Sequence, residues 1–304
     1  EMGHAVQHRT GLTPDVEAAD PARYPTILLE SMADCYAGAF VRWAIDGHAP
    51  HLKLDTAARD AALDTLVTFR DPIGSTATAG DAHGDAFDRV SAFADGYQQR
   101  ARLCAGMTVH NRQFTVDQLA SSPGAGTADQ TLPAAIDAAG PDASQYFGGL
   151  VADAGRRWQP PDVRQTGGPP RCPDSGSTGQ GPVAFCPTTN QVDVDTRGQL
   201  TDIHLDLGSQ ATDTLIASRF ALAALLADGR SAIGAGRSVL CLVGAYTGQR
   251  LPAAALSVSD LDGVVQVLLN YDYASRDGVG AAVSTGFDRM MAFRTGFTGG
   301  PSAC

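Results

Sequence analysis

The sequence predicts a mainly helical α+β protein built from two tandem related domains, the first truncated at its N-terminus. Three observations lead there. Four stretches in the first hundred residues space their apolar positions as helices do, a block around residues 182–207 alternates as strands do, and the last helical stretch of the first part returns at the C-terminus.

Taken in order, Glu1 to Thr10 reads as a helix closed by Gly11, a residue suited to the left-handed stop. Pro25 to Asp46 carries Ile27, Leu28, Met32, Cys35 and Ala39 with a helical spread and ends at Gly47; Leu54 to Phe69 is a third helix, and Gly84 to Cys104 a fourth. Beyond them lies a Pro/Gly-rich stretch from Gln159 to Pro182, then "PVAFC", "QVDVD" and "DIHLDL", which read as short strands.

The repeat is sharp where it is strongest. Phe87, Asp88, Arg89, Ala92, Phe93, Gly96 and Cys104 recur as Phe287, Asp288, Arg289, Ala292, Phe293, Gly296 and Cys304, each 200 positions on, and "CYAGAF" at Cys35 is echoed by "CLVGAY" at Cys241. The copies are unequal. Residues 1–105 read as the C-terminal helical half of a domain whose front would precede Glu1, and residues 106–304 as a whole copy.

Six cysteines, Cys35, Cys104, Cys172, Cys186, Cys241 and Cys304, with no C-x-x-C spacing, favour disulfides in an oxidising compartment over a zinc ribbon. The repeat favours Cys35 with Cys104 and Cys241 with Cys304, leaving Cys172 with Cys186, among the fifteen connectivities that six cysteines allow. A net charge of −11 argues against nucleic acid and anionic membrane surfaces, which call for a basic face. No apolar run approaches the roughly 20 residues of a membrane span. Lys53 is the only lysine, and this arginine bias points to a GC-rich, actinobacterial genome.

The chemistry-bearing residues lie in the first copy. A His before Glu1 would complete H-E-x-x-H with Glu1 and His4, placing two imidazoles on one helix face with a carboxylate beside them, as a zinc site with a general base requires. On the next helix, Glu30 occupies a largely apolar position, where a carboxylate is costly to bury unless paired or metal-bound. Asp34, one turn on, is placed to orient a ligand imidazole. The bland alternatives are an exposed helix start and a solvated helix face. Asp193, Asp195 and Gly198 spell only a fragment of a calcium loop and read better as a polar strand face.

"EMGHAVQHRTG", "LLESMADCYAGAFVRWA" and "DAHGDAFDRVSAFADGY" together resemble a bacterial neutral zinc metallopeptidase family, whose members read H-E-x-G-H-x-x-Q, then E-x-x-A-D-C-Y-A-G, then H-G. The resemblance covers residues 1–104 well, and Cys172 to Asp195 resembles the family's front portion. It implies a zincin-like fold, Zn2+ held by His4 and Glu30, Glu1 as general base, Asp34 behind the ligands, and a peptide or protein substrate. His83 matches the His of H-G, either donating to the developing oxyanion or capping the last helix.

Gly236, Leu240 and Val283 stand opposite Glu30, Asp34 and His83, so the second copy is expected to be a pseudopeptidase. Lacking the first His, the chain itself is expected to hold zinc weakly or not at all. The expected location is secreted or cell envelope, with any membrane anchor in the part before Glu1. The competing reading is a non-catalytic cell-envelope scaffold that binds protein partners.

Overall fold

A computed structural model describes residues 2–71, 82–120, 130–173, 176–177, 179–251 and 256–304. Helices dominate these residues, with one three-stranded sheet and one two-stranded ladder, an α+β composition. The chain divides into two units, Glu1–Ala125 with Leu256–Asp262, and Gly126–Ala255 with Gly263–Cys304.

In the first unit, α1 (Met2–Arg9), α2 (Pro14–Ala19), α3 (Thr26–Ile45), α4 (Thr56–Thr68), α5 (Ala86–Gln99), α6 (Ala101–Ala105) and α7 (Thr115–Ala120) follow one another. Gly11 and Gly47 adopt φ of +97° and +85° and end α1 and α3 where the sequence places the stops. Asp55 caps α4 by accepting from Ala58 N at 2.8 Å, and Asp85 caps α5 by accepting from Asp88 N at 2.8 Å. The core gathers Ile27, Leu28, Met32 and Tyr36 of α3 with Met107, Phe114 and Val116.

Helix α3 lies against α5 at backbone contact. A Cβ on Gly96 would stand 1.7 Å from Cys35 O, and one on Gly38 would stand 1.9 Å from Phe93 O. Those two glycines let the helices cross. The disulfide Cys35–Cys104 ties α3 to α6, which follows α5 directly, with Cα atoms 5.5 Å apart.

The helix expected over Gly84–Cys104 is broken. Arg100 adopts φ of +73°, closing α5 by donating from its N–H to Gly96 O at 2.8 Å, and α6 then turns Cys104 back toward Cys35. The Arg100 guanidinium is held by Asp46 Oδ2 at 2.9 Å.

The first unit also runs past residue 105, where the sequence suggests a boundary. Thr115 N and Val116 N donate to the Asp88 carboxylate at 2.9 and 3.3 Å, and Phe114 and Val116 join the core, so this segment folds with the helices before it. Asp262 accepts from Arg70 Nε at 2.6 Å and Ala86 N at 2.9 Å, which binds Leu256–Asp262 to the same unit.

Burial pushes the Asp88 carboxyl up to about 6, against the N–H donors of Thr115 and the charge of Arg112, which pull it down; Asp85 is raised for the same reason. Between the unfolded value near 3.8 and about 6, the native state holds a proton the unfolded chain has released. Stability from this group is therefore lost as pH rises through that window. Thermal melts between about pH 4 and 6 should give a falling Tm that Asp88→Asn flattens, and an unchanged slope in that variant would refute the assignment.

In the second unit, α8 (Leu132–Asp153) precedes β1 (Asp162–Thr166), the short ladder β2 (Arg171–Cys172) with β3 (Gly176–Ser177), then β4 (Val183–Cys186) and β5 (Gln191–Asp195). β5 is central, parallel to β1 and antiparallel to β4. "PVAFC" and "QVDVD" form strands as expected, and Cys172–Cys186 links β2 to β4. Asp193 is buried on β5 with Arg164 on β1 gripping both its oxygens, at 2.9 and 2.6 Å, and Asp195, at the end of β5, accepts from Arg197 N.

"DIHLDL" is not a strand. It falls in α9 (Gln199–Leu207), where Leu200, Ile203 and His204 share the buried face, and His204 bonds Thr212 Oγ1 and Gln130 O. Helices α10 (Ser209–Ala227), α11 (Gly236–Gly248), α12 (Val258–Asn270) and α13 (Gly286–Gly299) complete the chain.

The crossing of α3 on α5 recurs in α11 on α13. A Cβ on Gly296 would stand 1.7 Å from Cys241 O, and one on Gly244 would stand 1.9 Å from Phe293 O. Gly300 has φ of +68° at the place of Arg100, and Cys241–Cys304 closes the pair. All three disulfides match the pairing that the repeat favours, and they fit an extracellular or secreted protein. Among the described residues, no helix is long and apolar enough to cross a membrane.

Candidate metal centre

Helix α1 reaches α3 through Gly3, whose added Cβ would stand 2.5 Å from both the Cα and the carbonyl oxygen of Ala33. This approach sets the next residue, His4, beside Glu30, with Nε2 3.3 Å from Oε1. His83, just before α5, brings its Nε2 to 3.8 Å from Glu30 Oε2. His4, Glu30 and His83 therefore converge from three segments 79 positions apart in sequence at their extremes.

Each imidazole is held from behind. Gln7, only 3% exposed, accepts from His4 Nδ1 at 2.8 Å and donates from Nε2 to Leu29 O at 2.7 Å. Asp71 accepts from the backbone N–H of His83 at 2.8 Å and of Gly84 at 2.8 Å, and meets His83 Nδ1 at 3.3 Å. Asp71 thus holds the backbone of His83 and Gly84 as well as the ring.

Asp34 does not serve His4. Its two oxygens accept from Arg89 Nε and Nη2, both at 2.9 Å, while Arg89 Nη1 donates to Phe69 O. The turn between Glu30 and Asp34 carries Asp34 round toward α5, so it acts as the counter-ion of a buried guanidinium, and Gln7 takes the place behind His4 expected of Asp34. Glu1 lies outside the described residues.

The donor set fits a divalent cation in part. With Nδ1–H committed to Gln7, a neutral His4 turns the lone pair of Nε2 toward the Glu30 carboxylate, so two electron-rich donors face each other across 3.3 Å. A proton on Nε2 or a cation between them makes that approach favourable. Among the described residues, no group of three or more His, Cys, Asp or Glu side chains is placed to hold a metal.

The equivalent place in the second unit is filled. A Cβ on Gly236 would stand 2.3 Å from Ser275 O and 3.3 Å from Val283 Cγ2, so Gly236 meets Val283 as Glu30 meets His83. The helix stops align as well: Leu12 N donates to Gln7 O and Arg230 N to Leu225 O, next to Gly11 and Gly229, both of positive φ. Counted back from those stops, Arg219 stands where Glu1 does, and Leu222 where His4 does. Arg219 is fully buried and donates to Gln180 Oε1 at 2.8 Å, Ser218 Oγ at 3.0 Å and Tyr273 O at 3.2 Å; burial pulls its pKa down to about 9. A cation locked into the core is no general base.

No protein-family model matches the chain, and neither a curated protein nor a solved structure matches it. Gln7 and Asp71 are the two residues at this centre to which the sequence reading gave no role, although Gln7 stands at the Q of H-E-x-G-H-x-x-Q. Gln7 had a signal, standing one turn after His4 on the face that meets α3. Asp71 had none, since its partner lies 12 residues away in sequence.

Proposed function

We propose that the chain belongs to a zinc metallopeptidase of zincin type, in which the first unit is part of the catalytic domain and the second is a degenerate copy of it. The observation that carries this reading is the approach of His4 Nε2 to Glu30 Oε1, with His4 turned by the buried Gln7. The resemblance of "EMGHAVQHRTG" and "LLESMADCYAG" to the neutral zinc metallopeptidases supports it. So does the second unit, which keeps the glycine crossing and the closing disulfide while Gly236, Val283, Leu222 and Arg219 replace every residue of the proposed chemistry.

His4 and Glu30 are two of the ligands, and the remaining protein ligand is assigned to a His preceding Glu1. Zinc, when bound, supplies Lewis acidity and lowers the pKa of a coordinated water. Glu1 is the base that takes the proton and returns it to the leaving amine. His83, its ring braced by Asp71, faces the same carboxylate, and its proposed role is to donate to the oxyanion of the tetrahedral intermediate.

Zinc content measured by mass spectrometry, with hydrolysis of a peptide mixture, tests this on the protein carrying that preceding residue. Stoichiometric zinc is expected in the parent and in Glu1→Gln, with hydrolysis reduced by about 10²–10⁴-fold in the variant. A parent protein that binds no zinc would overturn the enzyme in favour of a cell-envelope scaffold.

A further inference from the structure

We infer that Gln7 is the positioning residue of this centre: it sets the tautomer of His4, so that Nε2 is the nitrogen left to bind a cation. The chemistry of its two bonds leaves one arrangement. Leu29 O is a carbonyl oxygen and only accepts, so the group 2.7 Å from it is the Gln7 amide nitrogen. Gln7 therefore turns its carbonyl oxygen to His4, and the ring nitrogen 2.8 Å away must carry a hydrogen. That nitrogen is Nδ1.

A free neutral imidazole carries its proton on either nitrogen, and a ligand histidine needs a partner to choose between them. Here the partner is buried and pinned at its far end to the backbone of α3, the helix that carries Glu30. Gln7 thus couples the orientation of one proposed ligand to the helix of the other. Met and Glu are the informative replacements: Met keeps the shape and removes the acceptor, while Glu keeps an acceptor for Nδ1–H and loses the donor to Leu29 O.

This inference rests on the zinc reading for its purpose, and its experiment separates the two. Long-range 1H–15N spectra of the metal-free, histidine-labelled full chain should show His4 protonated at Nδ1 in the parent and in Gln7→Glu. In Gln7→Met that preference should be lost. Zn2+ titration against a chromophoric chelator, on the protein carrying the residue before Glu1, should show affinity about 10–100-fold weaker in Gln7→Met and restored toward the parent in Gln7→Glu.

A His4 tautomer unchanged in a folded Gln7→Met overturns the assignment. If Gln7→Met fails to fold, a Gln7→Glu protein without the Nδ1–H tautomer does the same. A tautomer that shifts as expected in a protein with no affinity for Zn2+ upholds Gln7 and removes the zinc reading alone.

Discussion

Gly96→Ala is expected to destabilise the first unit by upwards of about 3 kcal/mol, seen as a fall in Tm on the order of 10 °C by calorimetry or circular dichroism. An alanine in a helix interior ordinarily gains about 1 kcal/mol over glycine. That gain is overwhelmed here, because the new methyl would meet Cys35 O at 1.7 Å, and a backbone oxygen inside a helix has no rotamer by which to retreat. Helix α3 would have to move away from α5, opening the Gly38–Phe93 contact beside it and loading the Cys35–Cys104 link. Gly296→Ala should behave alike in the second unit, where Cys241 O lies at 1.7 Å. Gly149→Ala on α8 is the control of opposite sign, since no atom lies within 4 Å of its added Cβ. Gly149→Ala should raise stability by up to about 1 kcal/mol, and a Gly96→Ala protein that gains as much would rule out the close crossing.

These contacts explain why so much of the fold was legible in the sequence. Gly96, Phe93 and Cys104 recur 200 positions on because the crossing and its disulfide need those residue types wherever the chain builds them. Such features are local in their requirements: a glycine where backbones touch, a cysteine at each end, a stop glycine after α1 and α3. His4 beside Glu30 was legible for a related reason, since both stand at fixed distances from such markers, one after Gly3 and the other before Cys35.

What stayed hidden depends on partners distant in sequence. "DIHLDL" alternates like a strand, yet tertiary burial of Leu200, Ile203 and His204 on one face selects a helix. β1 holds Asp162–Thr166 in a stretch that reads as a Pro/Gly-rich loop, and its partners are β5, 29 residues on, and Asp193, which Arg164 meets across the ladder. Arg100 occupies a left-handed conformation that its residue type gives no reason to expect. Asp34 was assigned to the metal side from its spacing and from the family resemblance, and neither pairs it with Arg89, 55 residues on.

Asp34→Leu is therefore expected to act on stability and hardly at all on the metal. The Arg89 side chain is buried, and Asp34 meets two of its nitrogens, so removing the carboxylate leaves a guanidinium short of its counter-charge at a cost of about 3–5 kcal/mol. Asp34→Leu with Arg89→Met should recover much of that loss, because well-packed apolar groups replace a buried pair at little net cost. The second unit shows another way to keep an arginine there. Leu240 stands at the place of Asp34, and Arg289 donates to Leu268 O at 2.6 Å, Leu269 O at 2.7 Å and Val283 O at 3.1 Å. Three backbone carbonyls thus accept from Arg289. In the first unit Arg89 reaches Phe69 O in the same manner, and Asp34 supplies the rest. Chemical denaturation of the single and double variants measures the coupling, and Zn2+ titration of the same proteins should differ from the parent by less than about tenfold, because Gln7 and not Asp34 holds His4. Loss of zinc affinity in Asp34→Leu with an unchanged denaturation midpoint would return Asp34 to the metal side and undo its assignment to Arg89.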